Sequence, residues 1–278
     1  MYKNLLVHIP TERSARAAID GSISLAMSCG AHLDAVAIGF ETVNNVPFVA
    51  EGGAAVASIY ELEHQRATER AEAAIAVFEV DARGADISYG SRTVAGTFAD
   101  AVASIGAAAR LYDLTVVSQG EPDQGSFDSR FPQELLLQTG GPLLMFPYTF
   151  RGAFKAARIG ICWDGSRLAA RALRDAMPFL ARADAVMAIT LNPSEVPADA
   201  SPDQLAKHLA RNGLRTRIIT LEVGRRDIQP SILSIAADES LDLLVMGGYG
   251  HSRMQETIFG GVTRETFRSL TIPVLMSH

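Results

Sequence analysis

The sequence predicts an α/β protein built of two tandem, doubly wound domains, each a five-stranded, mostly parallel sheet with helices on both faces. Two observations carry this. Short apolar runs alternate with segments of helical spacing, the pattern of parallel strands crossed over by helices. The order of segments then starts again near residue 158, and particular words recur. Asp113-Leu114 with Val116-Val117 parallels Asp242-Leu243 with Val245-Met246, and Pro142-Leu143-Leu144-Met145 parallels Pro273-Val274-Leu275-Met276.

In the first copy, Asn4 to Ile9 reads as a strand, and Ser14 to Cys29 follows with helical spacing through Ala18, Ile19, Ile23 and Ala26 until Gly30 stops it. Leu33 to Gly39 is a strand, and a connection through Pro47, Gly52 and Gly53 leads to a long amphipathic helix from Val56 to Phe78. Its charged face, with Glu61, Glu63, Arg66, Glu69 and Arg70, reads as solvated. Ala85 to Arg92 alternates as a strand, Phe98 to Ala109 is a helix, Leu114 to Ser118 a strand, Gln133 to Gln138 part of a helix and Pro142 to Phe146 a strand. Pro147 to Ala156 looks like a linker, so the domains are expected over 1–150 and 151–278. The second copy runs strand Arg158 to Trp163, helix Leu168 to Leu180, strand Ala185 to Leu191, helix Asp203 to Arg211, strand Leu214 to Val223, helix Ser231 to Ala237, strand Leu241 to Met246, helix Thr263 to Leu270 and strand Pro273 to Met276.

At 278 residues and 48% apolar composition, each half can bury a core. A net charge of −6 argues against a general nucleic-acid or acidic-membrane binder. No apolar run reaches transmembrane length and Met1 to Leu5 lacks a signal-peptide layout. Cys29 and Cys162 are too few for a disulfide framework or a thiolate metal site, and the histidines show no metal-ligand spacing, so a reducing cytoplasm is the expected compartment.

The stretch with chemistry is Met246-Gly247-Gly248-Tyr249-Gly250, with Gly260-Gly261-Val262-Thr263 beyond it. Glycines directly after a buried strand let backbone amides approach an anion, and a helix opening at Gly261 adds unpaired N–H groups. In doubly wound sheets ligands lie beyond the carboxyl ends of strands where the strand order reverses. This directs attention to the glycine loop and to Asp164, after the first strand of the second copy.

These features resemble the tandem form of the universal stress protein family, over nearly the whole chain. Its nucleotide motif is G-x-x-G, nine residues, then G and a small hydroxyl residue, usually continuing V-T or V-S; Gly247, Gly250, Gly260, Val262 and Thr263 fit that spacing. Gly261 stands where Ser is usual, which keeps the amide but deletes a hydroxyl hydrogen bond of roughly 0.5–1.5 kcal/mol. The resemblance implies a Rossmann-like fold related to the adenine nucleotide alpha-hydrolases and a bound adenine nucleotide, ATP or else ADP or AMP, with or without Mg2+. It also implies that Asp164 lies near the adenosine, that Leu191 walls the adenine, and that Gly260, Gly261, Val262 and Thr263 hold the phosphates, with Gly247, Gly248 and Gly250 as the first part of the nucleotide-binding motif. Two such domains usually associate as a pair, which a tandem chain builds within itself; further homodimerisation is left open.

The first copy departs from the motif. Pro10 stands at the place of Asp164, Ser118-Gln119-Gly120-Glu121 replaces the first glycine cluster, and Ser129-Arg130-Phe131-Pro132 replaces the second. A carboxylate at Glu121 and a Pro132 that lacks an N–H both oppose phosphate binding, so this half is expected to be a degenerate partner.

Simpler readings stand beside these. The glycines also read as a tight turn, Asp164 as the N-cap region of the following helix and Leu191 as core, and His251-Ser252-Arg253 reads either as a contact to a terminal phosphate or as a solvated loop. His8 reads as a satisfied core histidine, and Trp163 either stacks on a base or fills the boundary between copies. No Walker lysine, G-x-S-x-G elbow or dinucleotide G-x-G-x-x-G is present, so no enzyme is expected beyond weak ATP hydrolysis. The expected role is a nucleotide-binding stress-response protein; the alternative is a nucleotide-free structural or protein-interaction module of the same fold.

Overall fold

The computed structural model describes residues 1–41, 53–121, 126–248 and 269–278. The N-terminal half contains β1 (Asn4–Ile9), α1 (Arg16–Cys29), β2 (His32–Phe40), α2 (Gly53–Gly84), β3 (Tyr89–Gly96), α3 (Phe98–Ala109), β4 (Leu114–Ser118), α4 (Phe127–Leu136) and β5 (Leu143–Phe146). The C-terminal half contains β6 (Arg158–Cys162), α5 (Arg167–Leu180), β7 (Ala185–Leu191), α6 (Pro202–Arg211), β8 (Thr216–Leu221), α7 (Ile228–Asp238), β9 (Leu243–Gly247) and β10 (Val274–Ser277).

All ten strands form one sheet in the order β3-β2-β1-β4-β5-β10-β9-β6-β7-β8. Each half has the same internal order, and every pairing is parallel except the seam, where β5 meets β10 antiparallel with Leu144 opposite Leu275. The strands near the middle are near-continuous apolar runs, as strands covered on both faces must be, whereas β3 and β8 at the edges are only partly buried. One apolar layer lies under α1, α2, α5 and α6, the other under α3, α4 and α7.

The recurring words have structural causes. Asp113 accepts the Lys3 and Asn4 amides at 2.6 and 2.9 Å, closing the start of β1, and Asp242 accepts the Ala157 and Arg158 amides at 3.0 and 2.9 Å, closing the start of β6. The prolines sit just before β5 and β10, where their carbonyls accept from Thr115 and Leu244 of the neighbouring strand.

The observed boundaries differ from the expected ones where turn and cap chemistry decides them. β3 starts at Tyr89 rather than Ala85, because α2 runs to Gly84 and Asp86, at φ 53°, makes the turn. α4, of which the sequence marks only the part from Gln133, starts at Phe127 and ends at Leu136: Ser126 caps it by accepting the Ser129 amide at 3.2 Å, and Pro132 is carried inside the helix. Most of the helix expected over Thr263 to Leu270 lies outside the described residues, and Leu270 itself is non-helical.

α2 lies so close over β2 that a Cβ on Gly39 would stand 2.0 Å from the Ala67 carbonyl oxygen, a backbone atom that cannot swing aside. Gly39→Ala is therefore expected to destabilise the chain by at least the ~1–3 kcal/mol of ordinary overpacking, read as a lower urea midpoint.

Candidate functional site

β6 and β9 are neighbours, with β7 beyond β6 and β10 beyond β9, so the strand order reverses between them. The carboxyl ends of β6, β7 and β9 carry Asp164, Leu191 and Gly247, which the fold thus brings to one edge of the sheet.

Asp164 is exposed in the short loop after β6, and its Oδ1 accepts the Ser166 amide at 2.9 Å. The N-cap of α5 is Ser166, whose Oγ accepts the Ala169 amide at 3.1 Å. Asp164 shapes the turn into the helix, and its other oxygen has no hydrogen-bond partner among the described residues. Gly165, at φ 72°, makes the bend possible and faces Val196, Pro197 and Ala200 of the connection after β7. Trp163 is buried and donates its indole N–H to the Ala200 carbonyl at 2.7 Å, tying it to its own half rather than to the boundary between halves. Leu191, at the end of β7, is half-buried at the edge of the apolar layer under α7.

Gly247 ends β9 against the first turn of α5, where a Cβ would lie 2.7 Å from the Leu168 carbonyl carbon and the Ala169 nitrogen. Gly248 donates its N–H to the Ser277 carbonyl at 2.9 Å, and a Cβ there would meet the Leu136 side chain of the N-terminal half. Close packing alone thus requires a glycine at 247. Gly250, Gly260, Gly261, Val262 and Thr263 lie outside the described residues, as do His251, Ser252 and Arg253.

The universal stress protein family model matches residues 156–278. This half of the chain is a universal stress protein domain. A curated relative, Universal stress protein Slr1230 from Synechocystis sp. (strain ATCC 27184 / PCC 6803 / Kazusa), is 38% identical over 47 residues, a match spanning only 17% of this chain and 16% of the relative. Among solved structures, a universal stress protein from Archaeoglobus fulgidus DSM 4304 superposes with a TM-score of 0.74 at 16% identity, covering 98% of this chain and 95% of its own. A putative universal stress protein from Pseudomonas aeruginosa UCBPP-PA14 superposes with a TM-score of 0.60 at 15% identity, covering 99% and 93%. These likenesses establish the fold along the whole chain.

Against the universal stress protein domain, the matching edge of the N-terminal half is filled with its own side chains. Asp128, in the first turn of α4, accepts the Thr11 and Glu12 amides of the loop after β1 at 2.9 and 2.7 Å, while Glu12 accepts the Asp128 amide at 3.1 Å. The two carboxylates staple loop and helix together: Asp128 takes up two loop amides, and Glu12 takes up one amide at the helix start. Arg13 donates to the Ser118 hydroxyl and carbonyl at 3.0 and 2.8 Å, and Gly120 packs against Ser129.

His8 lies in this cluster with 0% exposure, its Nε2 3.5 Å from Asp128 Oδ1. Burial, with Arg13 nearby, pushes the imidazole down to about 3, so at neutral pH this contact is not an ion pair. Burial pushes the Asp128 carboxyl up to about 6, against the opposing pull of the Glu12 amide and Arg13. Neither ring nitrogen of His8 hydrogen-bonds a protein group among the described residues, so it is a core histidine but not a satisfied one. The reading of Pro132 also changes, since it lies in the second turn and its missing N–H is not one an anion at the helix start would meet. Sequence inspection missed the staple because Glu12 and Asp128 are far apart in the chain and match no motif; the one signal was an acidic residue following a helix-capping serine.

Proposed function

We propose that the C-terminal half binds an adenine nucleotide, with ATP, ADP and AMP as the candidates and Mg2+ as a companion of the phosphates, and that the N-terminal half, residues 1–150, is a degenerate partner that binds none. The observation that carries this is the placement of Asp164 and Gly247 on adjacent strand ends at the reversal of strand order, with the spacing Gly247, Gly250, Gly260, Val262, Thr263 running on from there. Asp164 presents an oxygen for a ribose or base, and the amides of 260–263 would meet the phosphates, with Gly261 contributing N–H but no hydroxyl. In the N-terminal half Glu12 already accepts a helix-start amide and Asp128 those of the loop after β1, which supports reading that half as one that binds no anion. Bound nucleotide would act by biasing conformation or partner choice, with the two halves paired inside one chain and a homodimer as a further level of assembly. We propose no enzymatic role beyond at most weak ATP hydrolysis, since no Walker lysine follows these glycines. Among the described residues no helix is long and apolar enough to cross a membrane, and the proposed setting is the cytoplasm.

Equilibrium dialysis with labelled ATP tests the proposal: the wild type is expected to retain ATP, and Gly250→Val and Gly260→Val to lose most of it. Equal retention by all three proteins would refute it. A second reading, a nucleotide-free interaction module, is favoured by Gly247, for which packing against α5 is sufficient cause. Millimolar ATP leaving the melting temperature of the nucleotide-free chain unmoved would support that reading, because a ligand of the native state must raise stability.

A further inference from the structure

A groove of about 500 Å3 opens along the first half of α5, lined by Arg167, Leu168, Arg171, Arg174, Asp175 and His278. His278 follows directly on Ser277, which pairs with Gly247, so the groove lies at the carboxyl ends of β9 and β10 and shares a wall, Leu168, with the end of β9.

Arg167, Arg171 and Arg174 stand at i, i+4 and i+7, on one face of the helix. Like charges at these spacings repel one another and gain nothing for the helix by themselves. The lining carboxylate, Asp175, is already engaged: it accepts the Ser277 hydroxyl at 2.7 Å and lies 3.7 Å from Arg171 Nε. Two of the guanidiniums are held in place. Arg171 donates through Nη2 to the Gly140 carbonyl, reaching across the seam to the turn before β5, and Arg174 donates through Nε to the Ala170 carbonyl at 3.2 Å. Arg167 has neither a hydrogen-bond nor an ion-pair partner among the described residues. Three forked, permanently charged donors, with Asp175 the one acidic side chain among the described lining residues, in a chain of net charge −6, make a local field opposite to that of the whole.

We infer that this groove binds a phosphate-bearing anion. Guanidinium forks match phosphate oxygens two at a time, and at 1.5 Å rise per residue Arg167 and Arg174 are separated by ~10 Å along the helix, which suits an oligophosphate rather than a single phosphate. The groove volume is within the ordinary range for a small-molecule site. The oligophosphate has two sources: a free anion, or the tail of a nucleotide held at the adjoining strand ends. The inference stands whether or not the nucleotide reading does.

Isothermal titration of the full chain with inorganic tripolyphosphate at low ionic strength tests it. The wild type is expected to bind, less tightly as salt is added, and Arg167→Gln/Arg174→Gln to bind at least ~10-fold more weakly. Both side chains are exposed and the variant keeps the Arg171–Gly140 contact, so an unchanged melting temperature verifies the fold. Arg171→Lys, which retains the charge but not the fork, is expected to fall between them. Absence of binding by the wild type, or equal affinity in the double variant, would overturn the inference. An ATP titration separates the sources: a matching loss of ATP affinity in the double variant assigns the tail of the nucleotide, and unchanged ATP affinity assigns a free anion. Failure of the nucleotide reading is scored separately, by Gly250→Val in dialysis.

Discussion

Phe146→Ala is expected to destabilise the protein by about 3–5 kcal/mol, the usual range for emptying a buried aromatic site, and to do so in both halves at once. Phe146 is fully buried at the end of β5, over Gly21 of α1, with the Phe150 and Phe154 rings at 4.6 and 5.4 Å. From Phe154 the contacts continue to Phe179 of α5 at 5.6 Å and from there to Tyr2 at 5.1 Å, so one run of aromatic rings ties the strand, the linker and the first helix of the C-terminal half. The chain has a single tryptophan, Trp163, buried in the C-terminal half. Urea unfolding followed by Trp163 fluorescence should therefore move to lower denaturant together with the far-UV signal of the whole chain. If the far-UV transition moved while the Trp163 transition did not, the halves would be unfolding independently and the coupling argument would fail.

Asp128→Asn is expected to change how stability depends on pH. In the folded chain the Asp128 carboxyl is raised to about 6 by burial, above its unfolded value of about 3.9. The neutral form is thus favoured by folding, and the stabilisation is complete below about pH 4 and lost as pH rises through 6. His8 works in the opposite sense: its folded value is about 3, so its stabilisation is present above about 6.5 and lost as pH falls. Among the described residues, the charged groups facing the pair are Glu12 and Arg13 from the loop after β1, and Glu121 after β4 acts in turn on Arg13. The substitution removes only the carboxyl titration, because the side-chain amide oxygen remains as an acceptor for the Thr11 and Glu12 amides. Relative to the wild type, the variant should gain of order 2–3 kcal/mol between pH 4 and 6.5 and no more above that. Urea midpoints across that range measure the gap; a gap independent of pH would remove the case for a strained buried carboxyl at 128.

The fold was legible because its two strongest signals are local. Apolar runs too continuous for a one-sided sheet marked the central strands, and Asp113, Asp242, Pro142 and Pro273 recurred because each closes the start or the flank of a neighbouring strand. The errors fell where one residue's conformation decides a boundary, as at Asp86, or where a proline is tolerated inside a helix, as at Pro132. At the candidate site, Asp164, Leu191 and Gly247 were placed on neighbouring strand ends by topology alone. The staple between Glu12 and Asp128 and the arginine row beside Gly140 were not legible: both join residues distant in sequence through side chains of ordinary type, and only folding gives them a common address.

The antiparallel seam between β5 and β10 has a consequence for how the molecule responds to its surroundings. Where two separate chains pair, the paired fraction falls with dilution and rises with expression. Here the partners are tethered by about ten residues, Pro147 to Ala156, and joining them is a first-order event whose equilibrium does not depend on protein concentration. The copy number of the chain in a cell therefore sets how many pairs exist, and leaves untouched what share of them is assembled.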